Sequence, residues 1–254
     1  MFSWLKKRHR RKIQQRAWPP RWTEHLFRNA RLCRLLDDAH MTLLQQRTQV
    51  LVAEKHWEAV DGLTLTEEVQ VTIAGQAALM LLGTDDFYFD NVSTIVVFPE
   101  SFERDVRSGY LTERRHHAGE AWHGGPVILS WQDVLAGGRN THDGHNLILH
   151  EFAHTLDGID GEMGGNVIFE DQATMQRWAE VSQREFQALQ NAAKLSQRTL
   201  LDHYGATNLA EFFAVASETF FELPQKLQSH HPELFELLMT YYRVDPRYWQ
   251  RTNG

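Results

Sequence analysis

The most restrictive feature of the sequence is a pair of histidines four residues apart in an otherwise apolar segment. The run His150-Glu151-Phe152-Ala153-His154 follows Leu-Ile-Leu and is followed by Thr155 and then Leu156. Apolar residues at this spacing predict a helix. Four residues advance a helix by about 400°, so both imidazoles emerge on one face, about 6 Å apart along the axis. The pair can therefore bind one metal ion, although two buried histidines with ordinary hydrogen-bond partners are the alternative.

Glu151 occupies a different position on the same predicted helix. It lies about 100° further round than His150, too far to bind the same ion easily. A glutamate at this position can hydrogen-bond a water molecule on a catalytic zinc and act as its general base. The motif therefore predicts a hydrolytic metal site in which His150 and His154 bind zinc and Glu151 is catalytic.

A catalytic zinc needs a third protein ligand. In a metzincin, a glycine and a histidine would stand where this chain has Asp157 and Asp160. A downstream glutamate is therefore expected, and the helix predicted over 208–223 offers Glu211 and Glu218. These residues are seven apart and share one face among apolar residues, where an unpaired carboxylate is costly. The spacing leaves both glutamates open as ligands.

Glu211 has a second possible role, because Asn208-Leu209-Ala210-Glu211 also reads as a capping box. Ligation and capping can coexist, since ligation uses one oxygen. Tyr204 stands seven residues before Glu211, and its phenol could donate a hydrogen bond to the oxyanion of a tetrahedral intermediate. A tyrosine that only packs at the helix entry is the alternative.

The remaining pattern predicts an α+β fold, mostly helical, with a small mixed sheet. Strands are expected over 94–98 and 127–131, the latter as a sheet edge where a substrate backbone could pair. Helices are expected from about 26 to 60, from 66 to 82, from 143 to 157 with Asp143 as a cap, from 172 to 195 and from 208 to 223. The stretch 100–123 gives no clear pattern. We expect a single domain over 19–254.

Charge is unevenly distributed along the chain. Residues 1–34 contain eleven Lys and Arg and one acid, a charge of +10, so the remainder carries −17 of the total of −7. The pattern predicts a flexible basic arm over 1–18, solvated rather than bound to nucleic acid or a membrane. Nucleic-acid binding would require a salt-sensitive affinity that disappears when the arm is deleted.

The chain has one cysteine, Cys33, and no apolar run long enough to span a bilayer. One cysteine excludes an intramolecular disulfide and a multi-cysteine zinc site. The sequence therefore predicts a cytoplasmic protein.

Four separated segments resemble the Mlc titration factor A family of bacterial zinc peptidases. They are Gly119-Glu120-Ala121-Trp122, Gly125-Pro126-Val127-Ile128-Leu129-Ser130-Trp131, Gly144 to His154, and Tyr204 to Val215. The resemblance runs from about residue 20 to 250, with the basic head outside it. That family is similar to the catalytic domain of anthrax lethal factor, a gluzincin.

The resemblance implies one zinc held by His150, His154 and Glu211, with Glu151 as general base and Tyr204 at the oxyanion. Glu218 and Asp157 are expected beside the ligands rather than on the ion. It also implies zincin-like architecture, aminopeptidase activity on a peptide or protein, and possible binding of a transcription repressor such as Mlc. The rival interpretation is a regulatory binding protein that sequesters such a repressor, with peptidase activity secondary.

One departure concerns an extra histidine that some members of the family carry before the Gly-x-x-Trp segment and that can reach the metal. The corresponding stretch here is Gly109-Tyr110-Leu111, and His116 and His117 follow several residues later. Self-inhibition by a fourth ligand is therefore not predicted for this chain.

Overall fold

Helices make up most of the fold, which a computed structural model describes over residues 2–100, 102–108, 111–117, 119–121, 125–157, 164–165 and 167–249. The helices are α1 (Phe2–Gln14), α2 (Pro20–Asn29), α3 (Asp38–Glu54), α4 (Glu67–Leu79), α5 (Trp131–Arg139), α6 (Leu147–Asp157), α7 (Gln172–Lys194), α8 (Leu209–Glu222), α9 (Pro224–His230) and α10 (Pro232–Tyr242). The strands are β1 (His56–Ala59), β2 (Thr94–Phe98), β3 (Phe102–Ser108), β4 (Leu111–His117), β5 (Gly119–Ala121) and β6 (Val127–Ser130). The predicted α+β, zincin-like class, with a mixed sheet and a His-Glu-x-x-His helix, is confirmed.

Two sheets are described. The larger has the order β1-β2-β6-β5, with β1, β2 and β6 parallel and β5 antiparallel to β6. The strands β3 and β4 form a separate antiparallel pair. The prediction that 127–131 is a sheet edge is wrong, because β6 lies between β2 and β5. The edge strand on this side is β5, and Trp131 begins α5 behind its cap Ser130.

The helix expected to continue to residue 60 stops at Glu54. His56–Ala59 instead pair in parallel with Thr94–Val97, and such a partner nearly forty residues away leaves no local signal. By contrast, α4 begins where predicted, with the Thr66 side chain accepting a hydrogen bond from the backbone N–H of Val69. Its interior is buried, as its largely apolar sequence predicts, and the buried residues include the polar Thr72 and Gln76.

The expectation of a flexible arm over 1–18 is also wrong for the residues described. The helix α1 packs against α3. Ile13 is fully buried, and Arg10 donates two hydrogen bonds of 3.1 Å and one of 2.8 Å to the carboxylate of Glu54. Arg10 also contacts Asp90 and donates to the backbone oxygen of Asp86 at 2.9 Å. The sequence alone predicted a solvated segment because the carboxylate partners of these basic residues are distant along the chain.

Buried aromatic and aliphatic side chains from α4, α6, α8 and α10 form the core around the larger sheet. Cys33 lies in this core, and burial raises the pKa of its thiol to about 12. None of the described helices is both long and apolar enough to cross a membrane.

Candidate metal centre

The helices α6 and α8 pack against each other and bring three ligand-type side chains together. The Nε2 atoms of His150 and His154 lie 3.2 Å apart. One carboxylate oxygen of Glu211, Oε2, is 3.0 Å from the first imidazole nitrogen and 3.2 Å from the second. The described residues thus contain a His-His-Glu group whose donor atoms all lie within 4.8 Å of one another.

Local capping fixes where both helices begin. The predicted cap Asp143 does not start α6: its carboxylate accepts from the backbone N–H of His145 at 3.1 Å. Asn146 starts the helix instead, because its Oδ1 accepts from the backbone N–H of Leu149 at 3.2 Å. A capping asparagine also starts α8.

Asn208 is the cap of α8, and its Oδ1 accepts from the backbone N–H of Glu211 at 2.9 Å. The capping box is therefore only half formed, because the Glu211 carboxylate does not return to the cap. It faces the two histidines, so the cap uses the backbone of Glu211 and leaves its side chain available to the site.

The spacing of the three donors fits a zinc ion. Ligand atoms about 2.0 Å from a tetrahedral zinc lie about 3.3 Å from one another. The separations of 3.0 to 3.2 Å between Nε2 and Oε2 atoms are close to this value. Two imidazoles and one carboxylate are also the donor types of a catalytic zinc site, which leaves one coordination position open.

The close contact between imidazoles and carboxylates shifts the pKa values of His150 and Glu211. Burial alone would lower the pKa of His150, but hydrogen bonds to Glu211 and Glu218 outweigh it and raise the pKa to about 10. Burial alone would raise the pKa of Glu211, but contact with His150 and His154 lowers it to about 2. The carboxylates of Glu211 and Glu218 therefore favour a positive charge beside His150.

Glu151 is only 5% exposed and lines the cleft beside His150. Burial raises the pKa of this carboxyl to about 7, despite the opposing influence of the two histidines. A carboxyl with a pKa near neutrality can both take and return a proton. Its placement agrees with the catalytic role predicted from the sequence, which stays a prediction.

Glu218 stands behind His150. One carboxylate oxygen, Oε1, lies 2.7 Å from the Nδ1 of His150, and the other accepts from the backbone N–H of Asn146. A carboxylate on Nδ1 fixes the imidazole tautomer in which Nε2 has a free lone pair for a metal. The structure therefore distinguishes the two candidate glutamates, with Glu211 at both Nε2 atoms and Glu218 behind one ring.

Glu222 extends this arrangement and was not predicted. Its Oε2 accepts from the backbone N–H of Gly144 at 3.1 Å, and its Oε1 from the Nδ2 of Asn146 at 3.3 Å. Burial raises the pKa of Glu222 to about 9. The signal that could have revealed it is its spacing of four from Glu218 and eleven from Glu211, which places all three acids on one face of an apolar helix.

Tyr204 lies in a short 3₁₀ turn, His203–Ala206, before α8. Its ring centroid is 5.8 Å from that of His150, and the side chain is 55% exposed. It lines a cleft of about 560 Å³ together with His150 and Glu151. The phenol therefore borders the site, as its spacing from Glu211 suggested.

Asp157 ends α6 and contacts the next segment. Its Oδ2 accepts from the backbone N–H of Gly165 at 2.9 Å, and the Gly165 oxygen accepts from the indole of Trp178 at 2.9 Å. Gly165 has φ +73° and leaves no space for a side chain, since an added Cβ would lie 2.5 Å from the oxygen of Leu209. Asp157 thus holds Gly165 against the start of α8. A direct role for Asp157 beside the histidines stays a prediction.

Some sequence expectations fall outside the described part of the chain. Asp160 and Trp122 lie outside the described residues, as do Gly109 and Tyr110. His116 and His117 belong to β4, of which only the backbone is described.

Comparison with known proteins gives consistent matches along the chain. Residues 4–243 match the family described as glucose-regulated metallo-peptidase M90, so the match includes most of the basic head that the resemblance was expected to exclude. The uncharacterized protein slr2042 of Synechocystis sp. is 35% identical over 249 residues, covering 96% of this chain and 90% of that protein. Mlc titration factor A of Yersinia pestis, like that of Yersinia pseudotuberculosis, is 27% identical over 259 residues, covering 97% of this chain and 91% of the relative.

Proposed function

The chain belongs to the glucose-regulated metallo-peptidase M90 family, and on that premise we propose that it is a zinc-dependent peptidase of the gluzincin type. One zinc per chain would be held by His150, His154 and Glu211. The observation that supports this proposal is the convergence of three donor atoms from two separate helices at separations of 3.0 to 3.2 Å. Glu218 would keep His150 in the ligating tautomer.

The side chains around the three ligands have the chemistry that peptide hydrolysis needs. When bound, zinc supplies Lewis acidity toward the scissile carbonyl and lowers the pKa of water. Glu151 takes the proton of the attacking water and passes it to the leaving amine, which its pKa of about 7 favours. Tyr204, at the border of the cleft, donates a hydrogen bond to the oxyanion.

Two features support a peptide substrate, and one of them supports aminopeptidase specificity. The strand β5 is at the edge of the larger sheet and contacts α6, so an extended substrate backbone can pair with it beside the metal. The described lining of the cleft carries Asp133, Asp143 and Asp202, and no Lys or Arg. An acidic lining suits the α-ammonium group of a free peptide N-terminus.

Four variants test the ligand set. His150→Ala and His154→Ala should each lose stoichiometric zinc. Glu211→Gln should weaken zinc binding far more than Glu218→Gln, because only the Glu211 carboxylate contacts both Nε2 atoms. The measurement is the zinc content of each variant after dialysis. Retained zinc in both histidine variants would contradict the proposed ligand set, as would a greater loss of zinc in Glu218→Gln than in Glu211→Gln.

Glu151→Gln tests the chemistry. It should keep the fold and the zinc, while turnover of an aminoacyl reporter peptide falls by at least about a hundredfold, the lower end of what general acid-base catalysis contributes. The matched control is Glu180→Gln, the same substitution on the exposed face of α7. Unchanged turnover in Glu151→Gln would refute the proposed general base. Cleavage of blocked peptides as fast as of free ones would refute aminopeptidase specificity.

A second candidate function comes from the relatives named Mlc titration factor A. We propose as an alternative that this chain binds a transcription repressor through its outer surface, with peptidase activity secondary. Glu151→Gln separates the two, because a neutral isostere in the cleft leaves the outer surface unchanged. Repressor binding measured by calorimetry should then survive the loss of turnover. A cytoplasmic location, which both functions assume, stays a prediction.

A further inference from the structure

The helix α1 has two faces that differ in chemistry. At about 100° per residue, Trp4, Leu5, Arg8, Arg11 and Lys12 fall within about 120° of one another. We call these five residues the outer face of α1. All five are exposed, and Trp4 and Leu5 remain 62% and 52% accessible. Two adjacent large apolar side chains therefore stand in solvent beside three cations.

The opposite face of the helix uses its charges inside the fold. Its cations form ion pairs with the acidic residues next to the helix: Lys6 with Asp90, Lys7 with Asp86, and Arg10 with Glu54 and Asp90. None of the described carboxylates lies within ion-pair distance of Arg8, Arg11 or Lys12. The Arg8 guanidinium lies 5.5 Å from the centre of the Trp4 ring. The outer face thus keeps three uncompensated positive charges.

We propose that the outer face of α1 binds the surface of an anionic phospholipid bilayer. Cations attract such a surface, while Trp and Leu side chains insert at the boundary between headgroups and acyl chains. The helix is anchored to the domain through Arg10 and Ile13, so it does not need to fold on binding. This revises the expectation, drawn from the sequence, that the basic head has no membrane partner.

A nucleic acid is the other polyanion that this charge could attract, and the apolar pair argues against it. Leu5 gains nothing from a phosphate backbone, and one tryptophan offers a single stacking platform. The remaining chain from residue 35 carries −17, so an anionic surface repels it and favours contact through the basic N-terminal residues that include α1. The inference does not depend on the proposed peptidase function.

Co-sedimentation with vesicles tests the proposal on the full-length protein. Vesicles of equal parts phosphatidylglycerol and phosphatidylcholine should bind the protein, whereas pure phosphatidylcholine should not. Each cation near an anionic surface strengthens binding about fivefold, so Arg8→Gln/Arg11→Gln/Lys12→Gln should lower the partition coefficient by about a hundredfold. Trp4→Ser/Leu5→Ser should lower it by at least about tenfold, through lost apolar burial.

The matched control is Met175→Ser/Leu195→Ser, which removes two exposed apolar side chains elsewhere. Arg198→Gln serves as a charge control. Both control variants should bind vesicles like the wild type. Circular dichroism should first establish that every variant is folded. Equal binding to both vesicle types would overturn the proposal, as would wild-type binding by Trp4→Ser/Leu5→Ser. Tighter binding to a single-stranded oligonucleotide than to the anionic vesicles would also overturn it, in favour of nucleic acid.

Discussion

Glu218 accepts hydrogen bonds through both carboxylate oxygens, and Glu218→Gln removes one of these acceptors without changing the size of the side chain. One oxygen receives the Nδ1–H of His150 at 2.7 Å and the other the backbone N–H of Asn146. A glutamine has one amide oxygen, so its NH₂ group must face one of these two donors. Glu218 is only 5% exposed, so bulk water replaces the lost hydrogen bond poorly.

The magnitude follows from the two orientations of the amide. If the oxygen faces Asn146, the NH₂ group selects the His150 tautomer protonated on Nε2, which cannot bind a metal. If the oxygen faces His150, a neutral hydrogen bond replaces a charged one and the Asn146 N–H is left unpaired. A hydrogen bond to a charged group contributes about 1.5–3 kcal/mol. At about 1.4 kcal/mol per tenfold change, the zinc dissociation constant should rise by about 10- to 100-fold.

Zinc affinity is measured by competition with a chromogenic chelator at neutral pH, on wild type, Glu218→Gln and Glu180→Gln. The control variant makes the same substitution on an exposed helix face, so it should bind zinc like the wild type. Circular dichroism and thermal unfolding establish first that each variant is folded. A folded Glu218→Gln with the zinc affinity of the control would refute the argument that this carboxylate sets the tautomer of His150.

Three further predictions concern the surroundings of the site. The pKa of Glu222 is about 9 in the fold and 4.5 ordinarily, so the free energy of unfolding of the wild type should fall as pH rises between these values. Glu222→Gln should show a smaller fall when unfolding is measured at several pH values. The same pH dependence in both proteins would contradict this prediction. Gly165 has φ +73°, and an added Cβ would lie 2.5 Å from the Leu209 oxygen, so Gly165→Ala should lower the free energy of unfolding by more than about 1 kcal/mol and weaken zinc binding. Unchanged stability and zinc affinity would show that Gly165 does not hold the start of α8. Arg10→Ala should lower the free energy of unfolding in urea by about 3 kcal/mol. This is the low end of the range for a buried ion pair, because Asp90 is partly exposed. A loss under about 1 kcal/mol would mean that Arg10 does not anchor α1.

The metal site illustrates what local pattern can predict. His150 and His154 share a helix, so a spacing of four determines their relative position before any tertiary structure is known. The third donor required a choice between Glu211 and Glu218, because both lie on one face of α8. That choice depends on how α8 crosses α6, which spacing within either helix does not contain.

Two residues around the site, Asn146 and Glu222, were missed for the same physical reason. Asn146 caps α6 and contacts two glutamates of α8 more than seventy residues away, and nothing near it marks that role. The N-terminal helix was misjudged because a basic run looks solvated until its partners Glu54 and Asp90 are placed beside it. Likewise, β1 forms only because β2 offers it a parallel partner. Long-range pairing determined each of these outcomes.

Cys33, buried in the core with the pKa of its thiol raised to about 12, has a practical consequence. Its thiolate is scarcely populated at neutral pH, so maleimides and mild oxidants should leave it unmodified while the chain is folded. Since the chain has no other cysteine, a single thiol introduced on the cleft rim or on α1 would be the sole reactive group. Fluorescent or spin labels can therefore report on ligand binding at the cleft or on membrane contact without first removing a native cysteine.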